Sequence, residues 1–118
     1  MKVFVYGTLK KGGHGNIACD MQTMICETVG RQLDLFMVEG LTFNFPAATP
    51  GNGSVAGELW EVDDQTFQRM TRFEGGLYRQ ETIETDHGPA ETFLWNDRLY
   101  STNDLQPISG SPAAFSIA

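Results

Sequence analysis

Apolar and polar positions in this chain follow a two-residue alternation more often than a helical one, and the exceptions carry most of the information. Lys2-Val3-Phe4-Val5 is β-branched and aromatic and predicts a buried strand at the start of the chain. It breaks at once into Tyr6-Gly7-Thr8-Leu9 and then Lys10-Lys11-Gly12-Gly13-His14-Gly15, an open stretch whose N–H groups can converge on an oxygen. Asn16 is placed to cap a short helix or turn reaching about Met21. Between 24 and 38 the apolar residues Ile25, Val29, Leu33, Leu35, Phe36 and Val38 are interrupted by Gly30, which predicts one long bent strand or two short ones, ending at Gly40.

The stretch 43–53, Phe-Asn-Phe-Pro-Ala-Ala-Thr-Pro-Gly-Asn-Gly, has loop composition, and its two phenylalanines suit it to wall a pocket. From 54 to 62 the alternation returns. Val55, Gly57, Leu59 and Glu61 share one face, Ala56, Glu58, Trp60 and Val62 the other, and apolar residues on both predict a central strand. Asp63-Asp64 then caps a helix over about 65–73, acidic in its first turn as the dipole favours, with Gly75-Gly76 as its stop. Two alternating segments, 79–85 and 91–95, flank the turn Asp86-His87-Gly88-Pro89 as an antiparallel pair. The tail from about 101 to 118, rich in Ser, Pro, Gly and Ala, is expected to lie over the surface. The pattern as a whole predicts a strand-dominated α+β fold, with interior glycines that suit a sheet curled into a small barrel.

Length and charge narrow the function classes. At 118 residues the chain fits a single domain, 1–118, able to bury a core without disulfides or metal. Eight Lys and Arg against fifteen Asp and Glu leave a net charge of −7, which argues against nucleic acid and against an anionic membrane surface. No apolar run approaches the roughly 20 residues of a membrane span, and a cytoplasmic location is expected. Cys19 and Cys26 match no paired zinc spacing; with His14 and His87 they make a four-ligand set only on paper, so no metal is expected.

The one clear helix carries a residue out of place. Counting from Phe67, Met70, Thr71 and Glu74 fall at i+3, i+4 and i+7, which puts a carboxylate on the apolar stripe while Gln68, Arg69 and Arg72 take the other sectors. Burial disfavours the charged form and raises a carboxyl pKa, the condition for a general base near neutrality. The same position also allows a plainer role at a fraying helix end, paired with Arg72 or Arg79. Tyr78 and Arg79 follow directly, an aromatic wall and a fixed positive charge suited either to a substrate carboxylate or to strand packing and a surface ion pair.

Taken in order, these segments resemble the γ-glutamylcyclotransferase family, including its γ-glutamylamine branch. The residues that carry the resemblance are Val3-Phe4-Val5-Tyr6-Gly7-Thr8-Leu9-Lys10 with the continuation from Gly12 to Asn16, then Phe45-Pro46-Ala47, Val55-Ala56-Gly57-Glu58-Leu59-Trp60-Glu61-Val62, and Phe73-Glu74-Gly75 followed by Tyr78-Arg79. The resemblance implies a small mixed β-barrel with flanking short helices, no cofactor, and a small-molecule γ-glutamyl substrate cyclised to 5-oxoproline with release of an amine. It implies Glu74 as the catalytic acid/base and Tyr6, Gly7, Thr8 and Leu9 as substrate-binding, with Tyr78 and Arg79 beside them. Two departures border that site: the glycine-rich Gly12-Gly13-His14-Gly15 and the tight Gly75-Gly76-Leu77 before Tyr78. The contrasting expectation is a non-catalytic module that keeps the fold and pocket to bind a small metabolite or a partner.

Overall fold

The structure is a computed structural model describing residues 1–39, 44–96 and 105–107. Six strands form one sheet: β1 (Lys2–Val5), β2 (Thr23–Glu39), β3 (Asn44–Glu61), β4 (Tyr78–Thr85), β5 (Gly88–Trp95) and β6 (Leu105–Pro107). Their order is β3-β1-β5-β4-β2-β6, and β2 also pairs with β3, so five strands close into a barrel and β6 adds to the outside of β2. Every pairing is antiparallel except that of β1 with β5. Closure answers the exposed-edge problem of so small a sheet.

The predicted bent strand is β2, and its bends have causes. The register with β3 slips between Met24 and Cys26 and again between Arg31 and Leu33, where Gln32 takes a positive φ of 58°. At the second slip Pro50 pairs with Leu33 and Ser54 with Arg31, so Gly51, Asn52 and Gly53 are extra residues on β3. The Gly53 N–H donates to Asp34 Oδ1 at 3.0 Å, which holds this bulge closed. The loop expected over 43–53 is therefore corrected from Asn44 onward: Ala47, Ala48 and Thr49 are ladder residues of β3, and only the glycines and Asn52 are irregular. The predicted stop at Gly40 lies outside the described residues.

Two helices flank the barrel. The first, α1, spans His14–Ala18 with Gly13 as N-cap, so Asn16 stands inside the helix rather than at its cap. The second, α2, spans Asp64–Glu74, and the Asp63 carboxylate accepts from the Thr66 N–H at 2.8 Å as its N-cap. Its apolar stripe, Phe67 and Met70, packs onto Val3, Val5, Trp60 and Phe93. Gly75 ends it at φ 66°, ψ −162°, a region open almost only to glycine, and a single 3-10 turn, Gly75–Leu77, leads into β4. Arg69 does not face open solvent as its sector predicts: it donates through Nε to the Cys19 carbonyl at 2.9 Å and ties α2 to the end of α1.

β4 and β5 form the expected hairpin, tighter than predicted, with Thr85 already paired to Gly88 across Asp86-His87. Of the tail, Leu105–Pro107 runs along Phe36–Val38 of β2; residues 101–104 and 108–118 lie outside the described residues. Among the described residues no helix is long and apolar enough to cross a membrane, and no three His, Cys, Asp or Glu side chains cluster as a metal site.

Candidate active site

The parallel seam between β1 and β5 holds one register pair, Val3 with Glu91. Beyond it side chains replace the ladder. Thr92 Oγ1 donates to the Phe4 carbonyl at 2.8 Å, and the Tyr6 hydroxyl donates to the Phe93 carbonyl at 2.7 Å. Where backbone pairing stops, a pocket opens between the end of β1, the 6–9 loop and β5. It encloses about 370 Å³ of empty space, its open mouth included.

Tyr6, Gly7, Thr8 and Leu9 all line the pocket, and so do Glu74 and Tyr78. Residues 68 positions apart in sequence are thus brought to one space by barrel closure and by the way α2 lies across β1. Arg79 is the exception among the expected site residues. It is not in the pocket wall, because successive strand residues point to opposite faces, and its Nη1 lies 2.7 Å from Glu81 Oε2.

Glu74 is half-buried, and among the described residues its carboxylate has no hydrogen bond or ion pair. Burial pushes its pKa up to about 7. The same carboxylate is felt by its neighbours. Burial first, then Glu74, raises the pKa of Tyr6; burial, Tyr6 and Glu74 raise that of Tyr78; burial and Glu74 raise that of Cys19. Among the described residues the wall contains no Lys or Arg. Backbone N–H groups of the 6–9 loop are suited to a ligand anion, and the Glu74 carboxyl, which exchanges its proton near neutral pH, is suited to a ligand amine.

The tyrosines are fixed by the backbone. The Tyr6 hydroxyl, besides donating to Phe93, accepts from the Ala48 N–H at 3.1 Å, and the Tyr78 hydroxyl donates to the Pro46 carbonyl at 2.8 Å. Pro46 is itself in the pocket wall, so the expected wall function of 43–53 is met by a strand residue.

Two supporting residues escaped the sequence reading. Glu58 is 7 % exposed, and its Oε1 accepts from the Lys11 N–H at 2.7 Å and from Trp60 Nε1 at 3.0 Å, anchoring the far end of the glycine loop to β3. The sequence held a signal for it: Glu58 shares a strand face with Trp60 and Val62, the same kind of misplacement that singled out Glu74. Asn16 is also 7 % exposed, with its side chain turned to the loop. A polar residue in a glycine-rich stretch gives no sign of burial in sequence.

The fold and site define a small closed five-stranded barrel with a pocket in its seam, where the described residues bring a carboxyl to a glycine loop. Residues 3–112 match the family of γ-glutamyl cyclotransferases, AIG2-like, and the chain belongs to that family. It is 31 % identical over 98 residues to the γ-glutamylcyclotransferase family protein YtfP of Escherichia coli K12, covering 80 % of this chain and 82 % of that one. The solution structure of ytfP from E. coli superposes with a TM-score of 0.66 at 27 % identity, covering 95 % of this chain and 94 % of that one. The crystal structure of PH0828 from Pyrococcus horikoshii gives a TM-score of 0.66 at 28 % identity, covering 80 % and 77 %.

Proposed function

We propose that the protein cyclises a γ-glutamyl amine to 5-oxoproline and releases the amine, with Glu74 as the general acid/base. The observation that carries this reading is the Glu74 carboxyl, near pKa 7 and without a counter-cation, in one pocket with the 6–9 loop. Family membership supports the reaction class.

The chemistry balances within that pocket. The substrate's α-amine attacks its own γ-carbonyl carbon, a C–N bond forms, and the carbonyl oxygen gains the electron pair of the π bond. Glu74, ionised, takes the proton shed by the attacking nitrogen. The oxyanion then collapses, the bond from the carbonyl carbon to the leaving nitrogen breaks, and protonated Glu74 returns its proton to that nitrogen. Loop N–H groups suit the transient oxyanion. The nucleophile belongs to the substrate, so positioning and one proton shuttle suffice, and no cofactor is invoked.

The test offers purified protein γ-glutamyl-ε-lysine and other γ-glutamyl amines while 5-oxoproline is followed by mass spectrometry. Product is expected with at least one of them, kcat/KM is expected to rise with pH through about 7 as Glu74 ionises, and Glu74→Gln should lose at least roughly 10²-fold. Silence across the panel, or undiminished turnover in Glu74→Gln, rejects the reading.

A further inference from the structure

The pocket face of the 6–9 loop is only as useful as the direction of its N–H groups, and α1 behind the loop sets that direction. The Asn16 N–H donates to the Thr8 carbonyl at 3.1 Å, and Asn16 Nδ2 donates to the Leu9 carbonyl at 2.8 Å. One residue therefore holds two consecutive carbonyls on the α1 side. No residue of α1 lines the pocket, so that side is the back of the loop.

A planar trans peptide points its C=O and the following N–H in opposite directions, and this chain has no cis peptide among its described residues. Fixing the Thr8 carbonyl towards α1 turns the Leu9 N–H towards the pocket. Fixing the Leu9 carbonyl likewise turns the Lys10 N–H away from α1, and that donor is used by the Gly7 carbonyl at 3.0 Å to close the turn. Among the described residues the Leu9 N–H has no acceptor. It is a free donor that the arrangement leaves for a ligand.

The Asn16 amide is itself locked. Its Nδ2 also lies 3.5 Å from Met21 Sδ, so both hydrogens have acceptors, and a flipped amide would set oxygen against the Leu9 carbonyl oxygen. The Met21 N–H donates to the Asn16 carbonyl at 3.1 Å, so the backbone groups and the amide nitrogen of Asn16 are all engaged. Close approach of α1 depends on Gly15, where a Cβ would stand 3.0 Å from Thr8 Oγ1 and 2.7 Å from Phe73 Cε1. Thus α1 touches the loop on one side and the residue preceding Glu74 on the other.

We infer that Asn16 is a positioning residue, which aims the Leu9 N–H into the pocket at a ligand oxygen by pinning the Thr8 and Leu9 carbonyls behind the loop. The reaction it would serve rests on the cyclotransferase reading; the donor it aims does not. Glu58 and the Gly13 N–H bond to the Lys10 carbonyl hold the loop downstream, so losing Asn16 misdirects two peptide planes rather than releasing the whole loop.

The experiment has two arms. In the first, 5-oxoproline is titrated into uniformly ¹⁵N-labelled wild-type protein and into Asn16→Ala and Asn16→Asp, the latter of equal shape with an acceptor in place of the donor. The Leu9 amide resonance should move on titration in wild type and fail to move in either folded variant. In the second, kcat should fall about 10²-fold in the variants, as for a misplaced group, with KM held and the pH limb near 7 kept. A merely structural role would lower the melting temperature without that split. An unmoved Leu9 resonance in wild type overturns the inference, and so does a folded variant whose titration and kcat match wild type. If wild type turns over nothing yet its Leu9 amide responds and the variants' do not, the cyclotransferase reading fails and Asn16 stands. Should neither variant fold, an unmoved Leu9 resonance in wild type still rejects the inference.

Discussion

Glu74 trades stability for a usable proton. Its carboxyl is pushed from an ordinary 4.5 up to about 7 by burial, so the folded protein holds this proton at pH values where the unfolded chain has released it. The neutral form's contribution is complete below about pH 4.5 and disappears as pH rises through about 7. The difference is on the order of 3 kcal/mol for such a shift. Glu74→Gln, always neutral, should therefore be more stable than wild type at pH 8 by an amount of that order, with the gap closing towards pH 4.5. Urea denaturation of both proteins across that range measures it. A gap of constant size would mean that burial of charge is not what moves the carboxyl.

At the scale of elements, the turn that follows α2 decides where Glu74 points. Gly75 sits at φ 66°, ψ −162°, and a Cβ there meets nothing within 4 Å, so the constraint is backbone strain rather than space. Gly75→Ala should cost about 1–3 kcal/mol for that reason. It should also lower kcat more than KM changes, because relief of the strain swings the end of α2; equal stability and equal kcat would show that the turn adopts another conformation without cost. The helix itself was legible because its signals are local: an acidic cap, a stripe at 3.6 spacing and a double-glycine stop all lie within 63–76. β3 was half hidden. Pro46, Pro50, Gly51 and Gly53 have loop composition, yet pairing with β2 supplies partners that composition cannot reveal, and the Asp34 carboxylate stabilises the bulge from another strand. Asn16 was misjudged for the same reason. Its capping preference is local, whereas its acceptor, the Leu9 carbonyl, becomes available only when α1 folds back on the loop.

The whole molecule is a barrel whose seam doubles as the site. Both halves of the pocket were visible in sequence, the loop at 6–9 and the carboxylate at 74, but their meeting depends on β1 lying between β3 and β5, which no local pattern dictates. Only the resemblance joined them. The N-terminal strand takes its partners from 58–61 and from Glu91, and Tyr6 secures it by bridging the Ala48 N–H of β3 and the Phe93 carbonyl of β5. All three residues are buried, so Tyr6→Phe strands a donor and an acceptor. The expected cost is about 1–3 kcal/mol, read as a lower urea midpoint at unchanged m-value. The ring still forms the pocket wall in that variant, so KM for a γ-glutamyl amine should not change. A raised KM at wild-type stability would instead mean that the hydroxyl leaves Phe93 and Ala48 to meet the ligand, and the seam would then be held by the Val3–Glu91 pairing and the side-chain bond from Thr92 to Phe4.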